Sequence, residues 1–206
     1  MKTQRKGRDS DSRATRVFLR HGGVLRTKDA IHFGIHPETL YRMRDSGELA
    51  GLGRGLFRLS SLPPLGNPDL VTVGMKIPNS VICLISALAF HELTTQIPHQ
   101  VYLALPRGTE PPRIEHPPLR VFWFTKSVFE FGQESQKLDG AQIRVYSPEK
   151  TVADCFKYRN KIGMDTVREA LKLYLERKKK NLNSLLEAAE VCRVANVMRP
   201  YLEALV

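Results

Sequence analysis

Residues 22–59, GGVLRTKDAIHFGIHPETLYRMRDSGELAGLGRGLFRL, decide how this chain is read. Gly22-Gly23 stops a preceding helical pattern, Ser12 to His21, in which Val17 and Phe18, with Ala14 and Leu19 less regularly, form the apolar side. Thr27 is expected as an N-cap, opening a short helix with Ala30, Ile31 and Phe33 on its apolar side; Gly34 punctuates it. His36 can cap the next helix, and Pro37 suits its first turn. Leu40 and Met43, three residues apart, give that helix its buried edge, and Gly47 ends it. Glu48–Leu52 and Leu56–Leu59 then read as two short strands around Gly53-Arg54-Gly55. Helix, helix, glycine-containing turn, helix and hairpin is the order of a winged helix-turn-helix. No single piece is specific; the ordered combination carries the reading.

Charge supports a polyanionic partner. The chain has 206 residues and a formal net charge of +11. Residues 1–65 hold 13 Lys and Arg against 6 Asp and Glu, so most of the excess lies in the first third. Such a balance suits nucleic acid, although composition alone does not separate it from a membrane surface. The longest apolar run, Val81–Phe90, is far short of the roughly 18 residues that span a bilayer. The basic N-terminus lacks the apolar core of a secretion signal, so a cytoplasmic protein is expected, with no membrane partner.

The expected organisation is a disordered basic arm over 1–11, a winged helix over 12–62, a Pro/Gly-rich linker over 63–68 and a C-terminal domain over 69–206. Overall the fold is expected to be α+β. The C-terminal domain is read as mixed α/β, with a small sheet and a helical C-terminus. Helices are predicted at 69–76 and 80–93, strands at 100–105, 119–125 and 142–146, and helices at 148–159, 165–178, 181–192 and 197–204. Ser147-Pro148-Glu149 supplies a cap, a first-turn proline and a first-turn acid for one of them.

If Leu40 and Met43 face the core, then Glu38, Tyr41, Arg42 and Asp45 point away from it. The second helix of such a motif enters the major groove and meets bases through its N-terminal part. The candidate DNA-binding residues there are His36, Glu38, Thr39, Tyr41 and Arg42. Arg42 could pair bidentately with guanine, and Glu38 could accept from cytosine. Arg54, at the wing tip, suits a minor groove or a phosphate. Thr27 and Lys28 start the preceding helix, where backbone N–H groups and a cation can hold a phosphate. The alternative for all eight is a solvated surface.

Nothing points to catalysis, a cofactor or a metal. His91-Glu92 begins like a zinc-protease motif, but position 95 is threonine. Nucleotide-binding glycine motifs and a GxSxG elbow are absent. Cys83, Cys155 and Cys192 are spaced like buried free thiols. Lys150 and Asp154, with Lys157 and Arg159 following, read as a helix salt bridge on a solvated basic face. Arg177–Lys180 reads as a basic helix end.

The stretch 22–59, together with ISALAFHELTTQIPHQVYLALPRG (85–108) and VYSPEKTVADCFKYRNKIG (145–163), resembles the AbiEi antitoxins of bacterial abortive-infection toxin–antitoxin systems. The resemblance extends over about residues 12–206. It implies a winged helix that binds double-stranded DNA at inverted repeats in its own promoter and represses it. It also implies a C-terminal domain that neutralises a nucleotidyltransferase-like toxin, whether or not the two proteins touch. No catalytic residue is implied. Two other readings stand beside it: a plain winged-helix regulator whose C-terminal domain senses a ligand or dimerises, and an enzyme with a DNA-targeting domain.

Overall fold

A computed structural model describes the backbone of residues 2–205 and the side chains of residues 9–204. The chain divides into two compact units, 1–78 with 137–143, and 79–136 with 144–206.

The first unit opens with α1 (Lys2–Arg20), β1 (Val24–Arg26), α2 (Thr27–His32), α3 (Pro37–Asp45), β2 (Leu49–Gly51) and β3 (Leu56–Leu59). The strands form one antiparallel sheet, ordered β1-β3-β2, in which Val24 faces Arg58 and Leu49 faces Leu59. Every residue of the central strand β3 is buried. Phe57 and Leu59 join Ala14, Phe18, Leu25, Ala30, Ile35, Leu40, Met43 and Leu49 in one core. Leu56 instead packs with Val24, Val71 and Ala141 in a second apolar cluster. The alternation of side chains along a strand produces this division.

Three expectations change here. The segment 1–11, read as an arm, is helical from Lys2 and continuous with α1. It has no proline, and its described end is tied down, because Asp11 and Ser10 bind Arg42 on α3. Met1 and the side chains of the basic residues 2–8 lie outside the described part. Second, Thr27 is the first residue of α2, and Arg26 occupies the cap position while pairing with Asp29 at 2.7 Å. Third, the Pro/Gly stretch at 63–68 does not divide the units. The Asn67 side chain accepts from the Leu70 amide and caps α4 (Pro68–Lys76), which belongs to the first unit.

The second unit adds β4 (Val81–Ile82), α5 (Leu84–Phe90), β5 (Val101–Pro106), β6 (Leu119–Phe124) and α6 (Lys126–Glu130). The chain continues through β7 (Gln133–Leu138), β8 (Ala141–Tyr146), α7 (Pro148–Lys157), α8 (Arg159–Ile162), α9 (Met164–Leu175), α10 (Leu182–Val191) and α11 (Ala195–Leu205). The sheet has five strands, ordered β6-β5-β4-β8-β7. Pairing is mixed: β4 is antiparallel to β5 and parallel to β8, and β5 is parallel to β6. The tip of the β7–β8 hairpin, residues 137–143, counts with the first unit. Asp139 and Gly140 turn it, both with positive φ, as a two-residue hairpin turn requires. Ser147 caps α7 by accepting from the Lys150 amide, with Pro148 in the first turn. The fold is therefore α+β, with a winged helix first and a mixed sheet with a helical C-terminus after it. No helix among the described residues is long and apolar enough to cross a membrane.

Candidate nucleic-acid interface

The face of α3 is set by its two buried residues. Leu40 and Met43 are fully buried, and His36 caps the helix by accepting the Glu38 amide on Nδ1 at 3.3 Å. Glu38, Tyr41, Arg44 and Asp45 are exposed. Tyr41 meets Phe57 of β3 edge-on, with centroids 6.4 Å apart, and Arg44 lies over the Tyr41 ring at 5.2 Å. Arg44 also pairs with Asp45 at 2.8 Å. The exposed ridge is thus a mixture of an acid, an aromatic ring and a paired arginine. Its chemistry suits contact with base edges better than attraction to phosphate.

Two expected readers are occupied elsewhere. Thr39 is buried, since it follows the capped first turn on the core side of the helix. Arg42 turns toward α1, where its guanidinium donates to Ser10 Oγ at 2.7 Å and to Asp11 Oδ1 at 2.5 Å. The Asp11 contact raises the guanidinium's pKa above its ordinary value. A guanidinium engaged in this way does not project toward a guanine.

The wing is a three-residue loop. The Leu52 amide donates to Leu56 O at 2.9 Å, and the Leu56 amide to Gly53 O at 3.1 Å. Gly53 and Gly55 have φ of +115° and +70°, which leaves Arg54 displayed between two residues free of the Cβ penalty. Thr27 binds this loop from α2: its amide donates to Gly55 O at 2.9 Å and its hydroxyl to the same oxygen at 3.3 Å. Thr27 is therefore a positioning residue, and its amide is not available to a phosphate. What it achieves is to bring the exposed cations Lys28 and Arg54 to one edge.

Sequence reasoning missed a third cation there. Lys76, in the last turn of α4, places its ammonium 2.7 Å from where a Gly53 side chain would begin. No sequence signal marks it, because it lies beyond the expected linker. Arg58, by contrast, contributes little to the surface charge. It is buried and donates to the carbonyls of Leu59, Leu62 and Pro63.

In the second unit, Lys150 and Asp154 overturn the solvated-face reading. Their side chains are 0% and 1% exposed and pair at 2.5 Å. The ammonium lies 4.3 Å from the Tyr146 ring centroid and 4.9 Å from that of Phe124. The Cys192 thiol donates to the second Asp154 oxygen at 3.2 Å. All three cysteines are free and buried, as their spacing suggested. Burial pushes the Cys192 thiol up to about 12, so it is a thiol and not a reactive thiolate. Among the described residues no three His, Cys, Asp or Glu gather where a metal could be held.

The order α-β-α-α-β-β, a helix ridge open to solvent and an arginine at a hairpin tip define a winged helix-turn-helix. Over residues 12–60 the chain matches the family described as "Transcriptional regulator, AbiEi antitoxin", so the winged helix carries the signature of AbiEi antitoxins and transcriptional regulators. No curated protein matches the sequence. Among solved structures, that of the RV2827C protein from Mycobacterium tuberculosis is similar over 95% of this chain and 81% of that one, with a TM-score of 0.54. At 13% identity this likeness concerns the fold alone.

Proposed function

We propose that this chain is the antitoxin of a toxin–antitoxin pair and also the repressor of its own promoter. The observation that carries the reading is the coincidence of the AbiEi match, residues 12–60, with a structurally complete winged helix. In this reading α3 enters the major groove of double-stranded DNA, with Glu38 and Tyr41 toward the bases. Lys28 and Arg54 grip the backbone at the edge that Thr27 builds. Inverted repeats would seat two copies. The second unit, with its own core around Val81, Leu88, Tyr146 and Phe156, neutralises a nucleotidyltransferase-like toxin. The excess of basic residues in the first third, the family match and the separate second core support this division of labour.

The test is co-expression of the intact chain with the product of the adjacent open reading frame, scoring growth and promoter output separately. Wild type restores growth and silences the promoter. Arg54→Ala combined with Tyr41→Ala restores growth but releases the promoter. Failure of the wild type to bind duplex from its own upstream region removes the repressor half. Failure to restore growth removes the antitoxin half.

A further inference from the structure

The second unit contains a hollow that DNA recognition does not use. Arg107, Trp123, Phe124, Thr125, Lys157 and Tyr158 line it, and Asp154 reaches its floor. Its cavity volume is about 70 Å³, well below the ~300–1,000 Å³ common for sites that take a whole small ligand, and it is partly open to solvent. Such a hollow takes one end of a compact ligand, with the rest at the rim, and excludes a folded partner or a helix.

The walls are flat and apolar. Phe124 and Tyr158 stack with centroids 5.7 Å apart and planes within 17°. Trp123 is 41% exposed, yet its ring is fixed, because Nε1 donates to the Thr109 carbonyl at 2.8 Å. The charge is one-sided. Arg107 forms no ion pair among the described residues. Lys157 donates one hydrogen bond, to the Cys192 carbonyl at 2.9 Å, and an ammonium has three protons to give. A bare carboxylate at the floor would repel an anion, but Lys150 neutralises Asp154 from behind. Burying that pair costs several kcal/mol per ion before mutual attraction offsets it. Buried ionisable groups at the base of a cleft are a mark of functional sites.

We propose that this hollow binds a small anion carried on a planar apolar body: a phosphate or carboxylate held by Arg107 and Lys157, with the body against Trp123 and Tyr158. The lysine–aspartate pair keeps the floor neutral, so the two cations at the rim determine the sign of the ligand.

Trp123 is the chain's one tryptophan, so intrinsic fluorescence reports directly on the hollow. The intact protein is titrated with AMP, benzoate, adenosine and inorganic phosphate, and saturation is confirmed by calorimetry. AMP tests a phosphate on a planar body and benzoate a carboxylate on one; adenosine and phosphate supply the body and the anion alone. Saturable binding of AMP or benzoate, about tenfold tighter than adenosine and phosphate, is expected. Arg107→Gln should weaken it about tenfold, as loss of a charge-assisted contact does, with an unchanged melting temperature. Lys157→Gln should act in the same direction. The proposal is overturned if no probe saturates, if adenosine binds as well as AMP, or if a folded Arg107→Gln binds like wild type. None of these outcomes depends on DNA binding.

Discussion

Asp11 on α1 holds Arg42 on α3 across a 2.5 Å ion pair, joining the helix whose start reads as an N-terminal arm to the helix proposed to face the bases. α3 is therefore tied to a residue outside the helix-turn-helix as well as to the core through Leu40 and Met43. The Arg42 side chain remains 41% exposed, so solvent screens the pair and its contribution to stability is expected to stay below about 1 kcal/mol.

Its contribution to DNA binding should show as coupling. Asp11→Ala and Arg42→Ala are each expected to weaken binding to the upstream duplex, and the double variant no further than the worse single one. Base preference should be unchanged in all three. Competition with point-mutated duplexes decides. If Arg42→Ala alters base preference while Asp11→Ala leaves affinity intact, Arg42 leaves α1 in the complex and reads a base after all.

The wing-tip cations make a different prediction. Each phosphate contact contributes about −0.9 to the slope of log K against log salt concentration on duplex DNA. Arg54→Ala and Lys76→Ala should each make that slope shallower by roughly 0.9 and weaken all sequences alike. Fluorescence anisotropy of the intact chain at several salt concentrations measures both. An unchanged slope in Arg54→Ala would show that the wing does not touch the backbone.

Breaking the buried pair in the second unit should be severe. Lys150→Met leaves the Asp154 carboxyl in the core with only the Cys192 thiol, and a loss of about 3–5 kcal/mol is expected from chemical denaturation. Lys150→Met combined with Asp154→Leu removes both charges and should recover much of that loss. If the single variant unfolds at the wild-type midpoint, the pair is not as dry as its geometry indicates.

His91 gives a pH dependence. Its Nε2 donates to the Tyr146 carbonyl at 2.7 Å, and burial lowers its pKa below the ordinary value. The folded state then binds fewer protons than the unfolded one between the lowered pKa and about 6.5, so stability rises with pH through that window. Melting temperature should fall as pH drops below about 6.5, and His91→Gln should flatten that part of the curve. Equal slopes for the two proteins would place the titration elsewhere.

The sequence was most legible where local chemistry and packing agree. His36, Pro37, Leu40 and Met43 specify α3 by cap, first turn and buried edge, and Gly53-Arg54-Gly55 specifies the wing. It was less legible where long-range pairing decides. Val24–Arg26 forms a strand because β3 is beside it, and Val81–Ile82 is cut from an apolar run that reads as helix because β5 and β8 flank it. β7 (QESQKL) is a polar edge strand with no alternation to detect. Its local signal is the Asp139-Gly140 turn, a strong hairpin marker. At the candidate interface, Glu38, Tyr41 and Arg54 are exposed as the helical wheel and the glycines imply. The commitments of Thr27 and Arg42 to Gly55 and Asp11 could not be read, because their partners lie 28 and 31 positions away.

Gly22 and Gly140 approach so closely that a side-chain carbon on either would lie 2.1–2.2 Å from the other's carbonyl oxygen. The first unit thus closes on a hairpin tip that the ribosome makes long after the wing. At about 5–20 residues per second, residue 143 follows residue 65 by roughly 4–16 seconds. During that interval the nascent winged helix carries Val24 and Leu56, joined by Val71 once it is made, without the Ala141 that completes their cluster. Translation that stops before the hairpin yields a winged helix with an open flank, so its completion is tied to synthesis of most of the second unit's sheet.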